Sequence, residues 1–231
     1  MEHQIEVASE NALIIYFGKD KGTVTNLSIA AQIQQVRTTL QVFVGTALID
    51  LIPSYASLLV IFDPFYTDHF TLKKMIKDNL LNLKPASART SQVISLPVYY
   101  GEEVGLDLPR IAKQAGLSEQ EVIDIHQELE YRVFAIGFAP GFGYLGEVDE
   151  RIAAPRLTTP RAEIPKGAVG IADRQTAIYP AQSPGGWNII GRCPITMFAP
   201  DKQPPMPFDV GDRVRFKAIN KDEFIALGGE L

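Results

Sequence analysis

Three loop segments rich in glycine and proline lie close together in the sequence and carry most of the side chains that could do chemistry. They are GFAPGFGYLG (137–146), PRLTTPR (155–161) and SPGGW (183–187). Glycine and proline fix backbone conformations that other residues avoid, so these loops have a specified shape. Fixed loops that bear aromatic and arginine side chains predict a ligand pocket. The alternative is that each segment is only a tight turn between strands.

Two arginines, Arg156 and Arg161, lie five residues apart, each directly after a proline. The guanidinium fork is a natural receptor for a carboxylate or phosphate, so the pair predicts an anion site to which Arg192 can contribute. The alternative is surface ion pairing with the acidic residues of 149–163, which is worth only about 0 to 1 kcal/mol. Residue types alone favour this weaker arrangement.

His126 lies at helical spacing from Val122, Ile125 and Leu129, so it faces either the core or a pocket. An imidazole in a pocket could act as an acid or base near neutral pH, with Glu130 to orient it. A buried structural histidine is the alternative, and it is favoured for His126 taken alone. No HxxxH or HxxE spacing joins it to the other histidines, so no metal site is predicted.

One predicted strand and the turn that follows it carry side chains that could recognise an amide ligand. Gln175 and Tyr179 would point to one face of that strand and Thr176 to the other. An amide and a phenol supply matching hydrogen-bond donors and acceptors. Trp187, at the end of the SPGGW turn, would form a rigid apolar wall or, with comparable weight, belong to the core.

The sequence contains one glycine motif typical of nucleotide binding, but without the helix it needs, and it lacks the usual motifs of a catalytic nucleophile. Gly141, Gly143 and Gly146 spell GxGxxG, but Pro155 follows before an adequate crossover helix could form, so a dinucleotide fold is rejected. No GxxxxGK[ST] loop and no GxSxG occurs. Cys193 is the only cysteine, and we predict a small buried residue there rather than a nucleophile.

The composition excludes several classes of protein. The 231 residues are 46% apolar with a net charge of −5, and no Lys/Arg-rich run occurs, so the chain should fold and should not bind nucleic acid. A single cysteine forms no internal disulfide and fits a reducing compartment. The acidic N-terminal residues do not form an export signal, and no apolar run approaches the ~20 residues that a membrane span needs. We expect a soluble, cytoplasmic protein.

The first ninety residues predict a small sheet covered by two helices. Strand-like runs occupy Ala12 to Phe17, Val42 to Ile52 and Leu58 to Phe62, and apolar residues recur at helical spacing over 29–40 and 70–83. The order is ββαββα-like. The polar segment 84–92 has no periodicity and is the predicted linker, which gives an N-terminal α/β domain at 1–90.

Residues 91–231 predict two short helices and a mostly antiparallel β-barrel or sandwich. Asp107 is expected to cap the first helix and Gly116 to end it, while Ser118 and Glu121 form a capping box for the second. From Tyr131 onward, strand-like runs alternate with glycine and proline: AVGIA, QTAIYP, WNII, ITMF and RVRFKAI. The predicted fold class is α+β.

Five strings together resemble the KipI family, also called allophanate hydrolase subunit 1, which includes the 5-oxoprolinase B subunits. They are GFAPGFGYL (137–145), PRLTTPR (155–161), GAVGIADRQTAIYP (167–180), SPGGW (183–187) and GDRVRF (211–216). Several ordered motifs match, and the resemblance covers nearly the whole chain. It implies an N-terminal α/β domain followed by a C-terminal cyclophilin-like β-barrel.

The resemblance also implies one component of a multi-subunit enzyme. Family members work with a KipA-type partner (PxpC) and a LamB/YcsF-type partner (PxpA), and the complex opens 5-oxoproline to L-glutamate while hydrolysing ATP to ADP and phosphate. ATP is therefore expected as a co-substrate, with no prosthetic group. For this function the candidate catalytic residues are His126, Arg161, Gln175 and Tyr179. The candidate substrate-binding residues are Phe142, Tyr144, Arg156, Pro184, Gly185, Gly186, Trp187 and Arg192.

Two other functions stay open at this point. Related domains occur in urea-carboxylase and allophanate-type carboxyltransferases, but those enzymes need a biotin carboxylase or a biotin carrier, and the 231 residues contain neither. KipI-type proteins can instead inhibit a sensor histidine kinase by binding its dimerisation helices. Such a regulator would need a protein-binding face rather than a polar small-molecule pocket.

Overall fold

The computed structural model describes residues 3–18, 27–81 and 93–231. The chain divides into two compact units, Met1–Thr90 and Ser91–Leu231. The predicted linker, 84–92, lies outside the described residues, so the boundary between the two predicted domains stays a prediction. In the described part of the chain, no helix is both long enough and apolar enough to cross a membrane.

The first unit is a four-stranded antiparallel sheet with two helices. Its strands are β1 (His3–Ser9), β2 (Ala12–Phe17), β3 (Leu48–Pro53) and β4 (Ser57–Phe62), in the order β1-β2-β4-β3. Its helices are α1 (Leu27–Val44) and α2 (His69–Leu81). Alternate residues of β2 and β4, such as Leu13 and Val60, are buried with helix residues such as Leu40 and Ile76. The element order is the predicted ββαββα.

The strand predicted over Val42 to Ile52 is wrong in its first half. Helix α1 continues to Val44, and a 3-10 turn at Gly45–Ala47 separates it from β3. Leu40 and Val44 are buried one turn apart, whereas Val42 is 79% exposed, so the helical period continues through this apolar run. Gly45 has a φ of +59°, a left-handed conformation that glycine adopts without strain, and the helix ends there.

The second unit contains a closed seven-stranded barrel. Its strands are β5 (Val93–Tyr99), β6 (Tyr131–Ile136), β7 (Gly143–Gly146), β9 (Ala168–Ala172), β10 (Gln175–Ile178), β12 (Asn188–Arg192) and β13 (Arg213–Ile219). They follow the order β10-β7-β6-β13-β5-β12-β9, and β9 pairs with β10 to close the barrel. Every pairing is antiparallel except β5 with β13, which is parallel. The predicted barrel is therefore present.

Two smaller predictions about this unit have different outcomes. The run ITMF (195–198), predicted as a strand, is irregular because the chain leaves the barrel after Arg192 and passes through Pro194, which has no N–H for a ladder. GxGxxG is not followed by a helix: Gly143–Gly146 is strand β7 itself. The motif therefore lacks the helix that a dinucleotide-binding fingerprint needs.

Three helices pack around the barrel: α3 (Leu108–Ala115), α4 (Glu119–Glu128) and α5 (Lys221–Ala226). The predicted capping box of α4 is present, and Gly116 ends α3 with a φ of 68°. Asp107 occupies the N-cap position of α3, but its side chain makes no capping hydrogen bond. The Asp107 carboxylate instead accepts hydrogen bonds from Arg161 and Ile189.

Candidate functional site

Two of the three loop segments are joined on the outer face of the barrel. Strand β8 (Arg161–Ile164) pairs with β11 (Ser183–Gly185) as a two-stranded ribbon, and the register places Arg161 opposite Gly185. Further along, the N–H of Leu157 donates to the carbonyl of Gly186 over 2.7 Å. The PRLTTPR segment and the SPGGW turn therefore form one rigid substructure.

Aromatic side chains from β7, the end of β10 and the SPGGW turn meet around Phe142. Its ring centroid lies 4.9 Å from Tyr144, 5.3 Å from Tyr179 and 5.7 Å from Trp187, each in an edge-to-face arrangement. Phe142, Tyr179 and Trp187 are buried, while Tyr144 is half-buried. Edge-to-face pairs at these distances hold aromatic rings in fixed orientations. We call Phe142, Tyr144, Tyr179 and Trp187 the aromatic cluster.

A guanidinium without an ion-pair partner lies over this aromatic cluster. The Cζ of Arg156 is 5.9 Å from the centroid of the Trp187 ring, within range of a cation–π contact. Arg156 is exposed, and among the described residues no carboxylate is paired with it. This cation is therefore free to take an anion from solution.

The two phenols of the cluster are held in their protonated form. Burial raises the pKa of Tyr179 to about 12, although the charge of Arg156 and a hydrogen bond from the backbone N–H of Trp187 act in the opposite direction. Burial also raises the pKa of Tyr144, again against the charge of Arg156. Near neutral pH both side chains therefore keep their hydroxyl protons.

Arg161 also lies near Tyr179 of the aromatic cluster, but its guanidinium is paired with Asp107. Its two terminal nitrogens donate to the two carboxylate oxygens of Asp107, each over 2.8 Å. These hydrogen bonds raise the pKa of Arg161 further, with the charge of Tyr179 as a minor contributor. In the described ranges, the surface acids of 149–163 pair with neither arginine. Asp107 takes two of the five N–H donors of Arg161. This contact does not decide the predicted catalytic role of Arg161, which stays a prediction.

His126 lies inside the barrel, apart from the aromatic cluster. Its Nδ1 is 2.8 Å from the hydroxyl of Tyr100, its Nε2 is 3.0 Å from Oγ1 of Thr176, and its ring stacks on Phe216 at 4.6 Å. The side chain has no exposed surface, and burial lowers its pKa to about 3. Both ring nitrogens are used and the imidazole is neutral at neutral pH, which favours the structural alternative over the predicted catalytic role.

Gln175 and Arg192 are the remaining predicted site residues. Gln175 begins β10 and pairs with Gly146 of β7, two residues from Tyr144 of the aromatic cluster. Arg192 donates from Nε to the carbonyl of Lys166 over 2.8 Å, and its burial lowers its pKa. The roles predicted for Gln175 and Arg192 stay predictions.

The two glycines of the SPGGW turn lie next to Tyr179 and the loop of Arg156. A Cβ built on Gly185 would lie 2.4 Å from the hydroxyl oxygen of Tyr179, so only glycine lets the turn approach the cluster this closely. Pro184 is exposed, and Gly186 is tied to the loop of Arg156 through Leu157. Their contact with a substrate stays a prediction.

Two residues outside the predicted site also belong to this region. The sequence marks Asp107 only as a helix cap, and no local signal marks its ion pair with Arg161. Phe138 is 65% exposed, has a φ of 73°, and packs its ring against Phe142 at 5.3 Å. A bulky residue in that conformation is strained, and no sequence signal marks it. No group of three or more potential metal-ligating side chains occurs in the described ranges.

Comparisons with known proteins agree with the resemblance seen in the motifs. The family model "Carboxyltransferase domain, subdomain C and D" matches residues 3–208. The chain is 37% identical to the 5-oxoprolinase B subunit of Bacillus subtilis, over 100% of this chain and 98% of that protein. It is 44% identical to the 5-oxoprolinase B subunit of Escherichia coli O157:H7 over 54% of this chain and 58% of that protein.

Solved structures show the same fold. The crystal structure of TTHA0988 superposes with a TM-score of 0.78 at 34% identity, covering 90% of this chain and 40% of that one. The urea carboxylase of Kluyveromyces lactis has a TM-score of 0.76 at 18% identity, covering 97% of this chain and 22% of that one, which shows the fold alone. The chain belongs to the carboxyltransferase subdomain C and D family, in which its relatives of high coverage are 5-oxoprolinase B subunits.

Proposed function

We propose that this chain is the B subunit of an ATP-dependent 5-oxoprolinase complex and that its aromatic cluster with Arg156 binds the substrate. The names of its relatives support membership of a hydrolase complex. The observation that carries the substrate assignment is the guanidinium of Arg156 over Trp187, which has no ion-pair partner among the described residues. The partners are the KipA-type protein PxpC and the LamB/YcsF-type protein PxpA, and the complex acts in the cytoplasm.

The chemistry of 5-oxoproline matches these side chains. The molecule is a flat five-membered lactam with one carboxylate, which is ionised near neutral pH. The carboxylate accepts from Arg156 in a charge-assisted contact, and the ring packs against the aromatic cluster. A protonated phenol, Tyr144 or Tyr179, is a donor of the kind that a lactam carbonyl accepts.

Opening the lactam requires activation, because an amide is a poor electrophile. ATP supplies that activation in the proposed reaction by phosphorylating the lactam, and water then completes hydrolysis to L-glutamate, ADP and phosphate. We assign the nucleotide to the complex and no residue of this chain to it. The contribution of this chain is to bind and orient the substrate through Arg156 and the aromatic cluster, which lowers the entropic cost of the reaction.

Substrate binding is tested through Trp187, the only tryptophan in the chain. Titration of its fluorescence with 5-oxoproline should saturate, and 2-pyrrolidinone, which has the same lactam ring without the carboxylate, should bind far more weakly. Arg156→Met removes a charge-assisted contact worth about 1.5 to 3 kcal/mol, so the Kd for 5-oxoproline should rise about 10- to 150-fold. Arg151→Met, which removes a guanidinium that is paired with Asp149 outside the predicted site, is the matched control and should leave Kd unchanged. Equal affinity of wild type and Arg156→Met would remove Arg156 from the site.

Participation in the complex is tested by reconstitution. This chain, PxpC and PxpA with ATP should convert 5-oxoproline to glutamate, and omission of this chain should abolish the conversion. Undiminished turnover without this chain would contradict the proposed function. Its replacement by the Arg156→Met variant should lower kcat/KM for 5-oxoproline to the same extent as it lowers affinity.

A carboxyltransferase component is the second candidate, and the description of the matching family model favours it. Its acceptor, urea, is neutral and carries no carboxylate for Arg156. Binding of urea to wild type and Arg156→Met with equal affinity, together with no response to 5-oxoproline, would favour this candidate. Inhibition of a histidine kinase stays a prediction without a supporting observation.

A further inference from the structure

We propose that Asp107 is a positioning residue that holds the loop of Arg156, residues 155–161, in the geometry that places the Arg156 guanidinium over Trp187. The functional part of this inference rests on the proposed role of Arg156 as the receptor for the substrate carboxylate. The hydrogen bonds of the Asp107 side chain go to Arg161 and Ile189 rather than to the aromatic cluster. Asp107 acts through Arg161, the last residue of the loop.

The carboxylate of Asp107 is buried and fully committed to non-local contacts. Its side chain is 7% exposed, and it accepts two hydrogen bonds from Arg161 and one of 2.7 Å from the backbone N–H of Ile189. An aspartate at an N-cap normally accepts from the first turn of its own helix. Asp107 stands at the N-cap of α3 and makes no such bond. The Asp107 carboxylate therefore does not cap its own helix but binds residues of β8 and β12.

The beginning of the loop is anchored to the same helix. The side-chain amide of Asn188 donates to the carbonyl of Pro155 over 3.0 Å, and Arg110 in the first turn of α3 donates to the amide oxygen of Asn188. Asn188 is completely buried. Asp107 and Arg110, one turn apart, thus fix opposite ends of a seven-residue loop.

Arg156 depends on these anchors because it has no ion pair of its own in the described part of the chain. It approaches Trp187 in a cation–π contact and acts electrostatically on the two phenols. A weak contact of this kind does not by itself position a long side chain. The position of the loop must do so, and the fork-to-fork pairing of Asp107 with Arg161 fixes both distance and orientation at its C-terminal end.

The first test measures the position of Arg156 without any ligand. The Cδ protons of an arginine held over an indole are shifted upfield in NMR spectra, and the signal of Arg156 is assigned by its loss in Arg156→Met. In Asp107→Asn this upfield shift should be lost. The matched control is Asp149→Asn, which removes another bidentate partner, that of the exposed Arg151, and should keep the shift. Retention of the shift in Asp107→Asn would overturn the inference.

The second test separates positioning from a general effect on the fold. Asp107→Asn should raise the Kd for 5-oxoproline about tenfold to a hundredfold when Arg156 is present, a loss typical of a misplaced binding group. In the Arg156→Met background the same change should raise Kd by less than about twofold, because the group that Asp107 positions is already gone. Equal losses in both backgrounds would mean that Asp107 does not act through Arg156.

A substitute variant and the response of the wild-type protein separate a failure of this inference from a failure of the proposed function. If Asp107→Asn does not fold, Arg161→Gln breaks the same ion pair from its more exposed side and is measured in its place. If wild-type protein gives no response to 5-oxoproline, the proposed substrate is refuted, and the NMR shift still decides whether Asp107 positions Arg156.

Discussion

Replacing His126 tests whether this imidazole is part of the fold or part of the chemistry. In the folded chain, burial lowers its pKa from 6.5 to about 3, so the neutral form is the one that packs between Tyr100, Thr176 and Phe216. The unfolded chain takes up a proton on His126 below about pH 6.5, and the folded chain does not until about pH 3. Stability must therefore fall as the pH falls through this window.

The size of the effect follows from the width of the window. Each pKa unit corresponds to about 1.4 kcal/mol, and pH 5 lies about 1.5 units below the unfolded-state pKa. His126 alone should therefore reduce the free energy of unfolding by about 2 kcal/mol between about pH 7.5 and pH 5. The ordinary carboxyl pKa of about 4 lies below this window, and the contribution of the carboxylates cancels when wild type is compared with a His126 variant.

The measurement is urea unfolding followed by the fluorescence of Trp187, which lies in the same unit as His126. His126→Gln should be less stable than wild type at about pH 7.5 but should lose about 2 kcal/mol less on acidification. Thr176→Val, which removes one partner and keeps the buried imidazole, should retain the acid dependence. The interpretation fails if His126→Gln retains the full acid dependence, or if kcat/KM of the reconstituted complex shows a titration near the ordinary histidine pKa of about 6.5 that this variant abolishes.

Glycine positions provide further predictions. Gly185→Ala should lower kcat/KM for 5-oxoproline up to about a hundredfold, because its Cβ would displace the hydroxyl of Tyr179; steady-state kinetics of the complex measure this, and unchanged kinetics would contradict it. Gly167→Ala should be strongly destabilising, since φ is +82° and its Cβ would lie 2.4 Å from the carbonyl oxygen of Cys193. The matched control is Gly116→Ala, with a φ of +68° and no atom within 4 Å, which should cost only about 1 to 2 kcal/mol. Equal melting temperatures for these two variants would show that the close approach of residue 167 to the carbonyl oxygen of Cys193 does not affect stability.

Much of the fold was predictable because its signals are local. The capping box of Ser118 and Glu121 needs only residues three positions apart, and the strands of the barrel have apolar residues bounded by glycine and proline. The exception, Val42 to Val44, shows the limit of such signals. A β-branched apolar run has strand character, and only the sheet and helix packed around Leu40 and Val44 continue the helix through it.

Phe142 and Trp187, which the sequence places in loops rich in glycine and proline, are in ring contact at 5.7 Å, and their role in binding stays a prediction. The shared strand face of Gln175 and Tyr179 predicts a shared role that stays a prediction, because the neighbours of Gln175 on β7 are set by strand pairing and not by its own strand. His126 had the correct helical spacing for either a core or a pocket, and only the side chains of distant strands decide between the two.

The choice between Arg156 and Arg161 shows why a site cannot be read from residue types alone. Both follow a proline, both lie in one loop, and both were candidates for the same anion. What separates them is Asp107, a residue 54 positions before Arg161 in the sequence. Its carboxylate pairs with the guanidinium of Arg161, whereas that of Arg156 has no ion-pair partner within the ranges that the structure describes. If this reasoning is correct, Arg161→Lys should weaken 5-oxoproline binding indirectly, through the loop, and the loss should largely disappear in the Arg156→Met background. A loss of the same size in both backgrounds would return Arg161 to direct contact with the ligand.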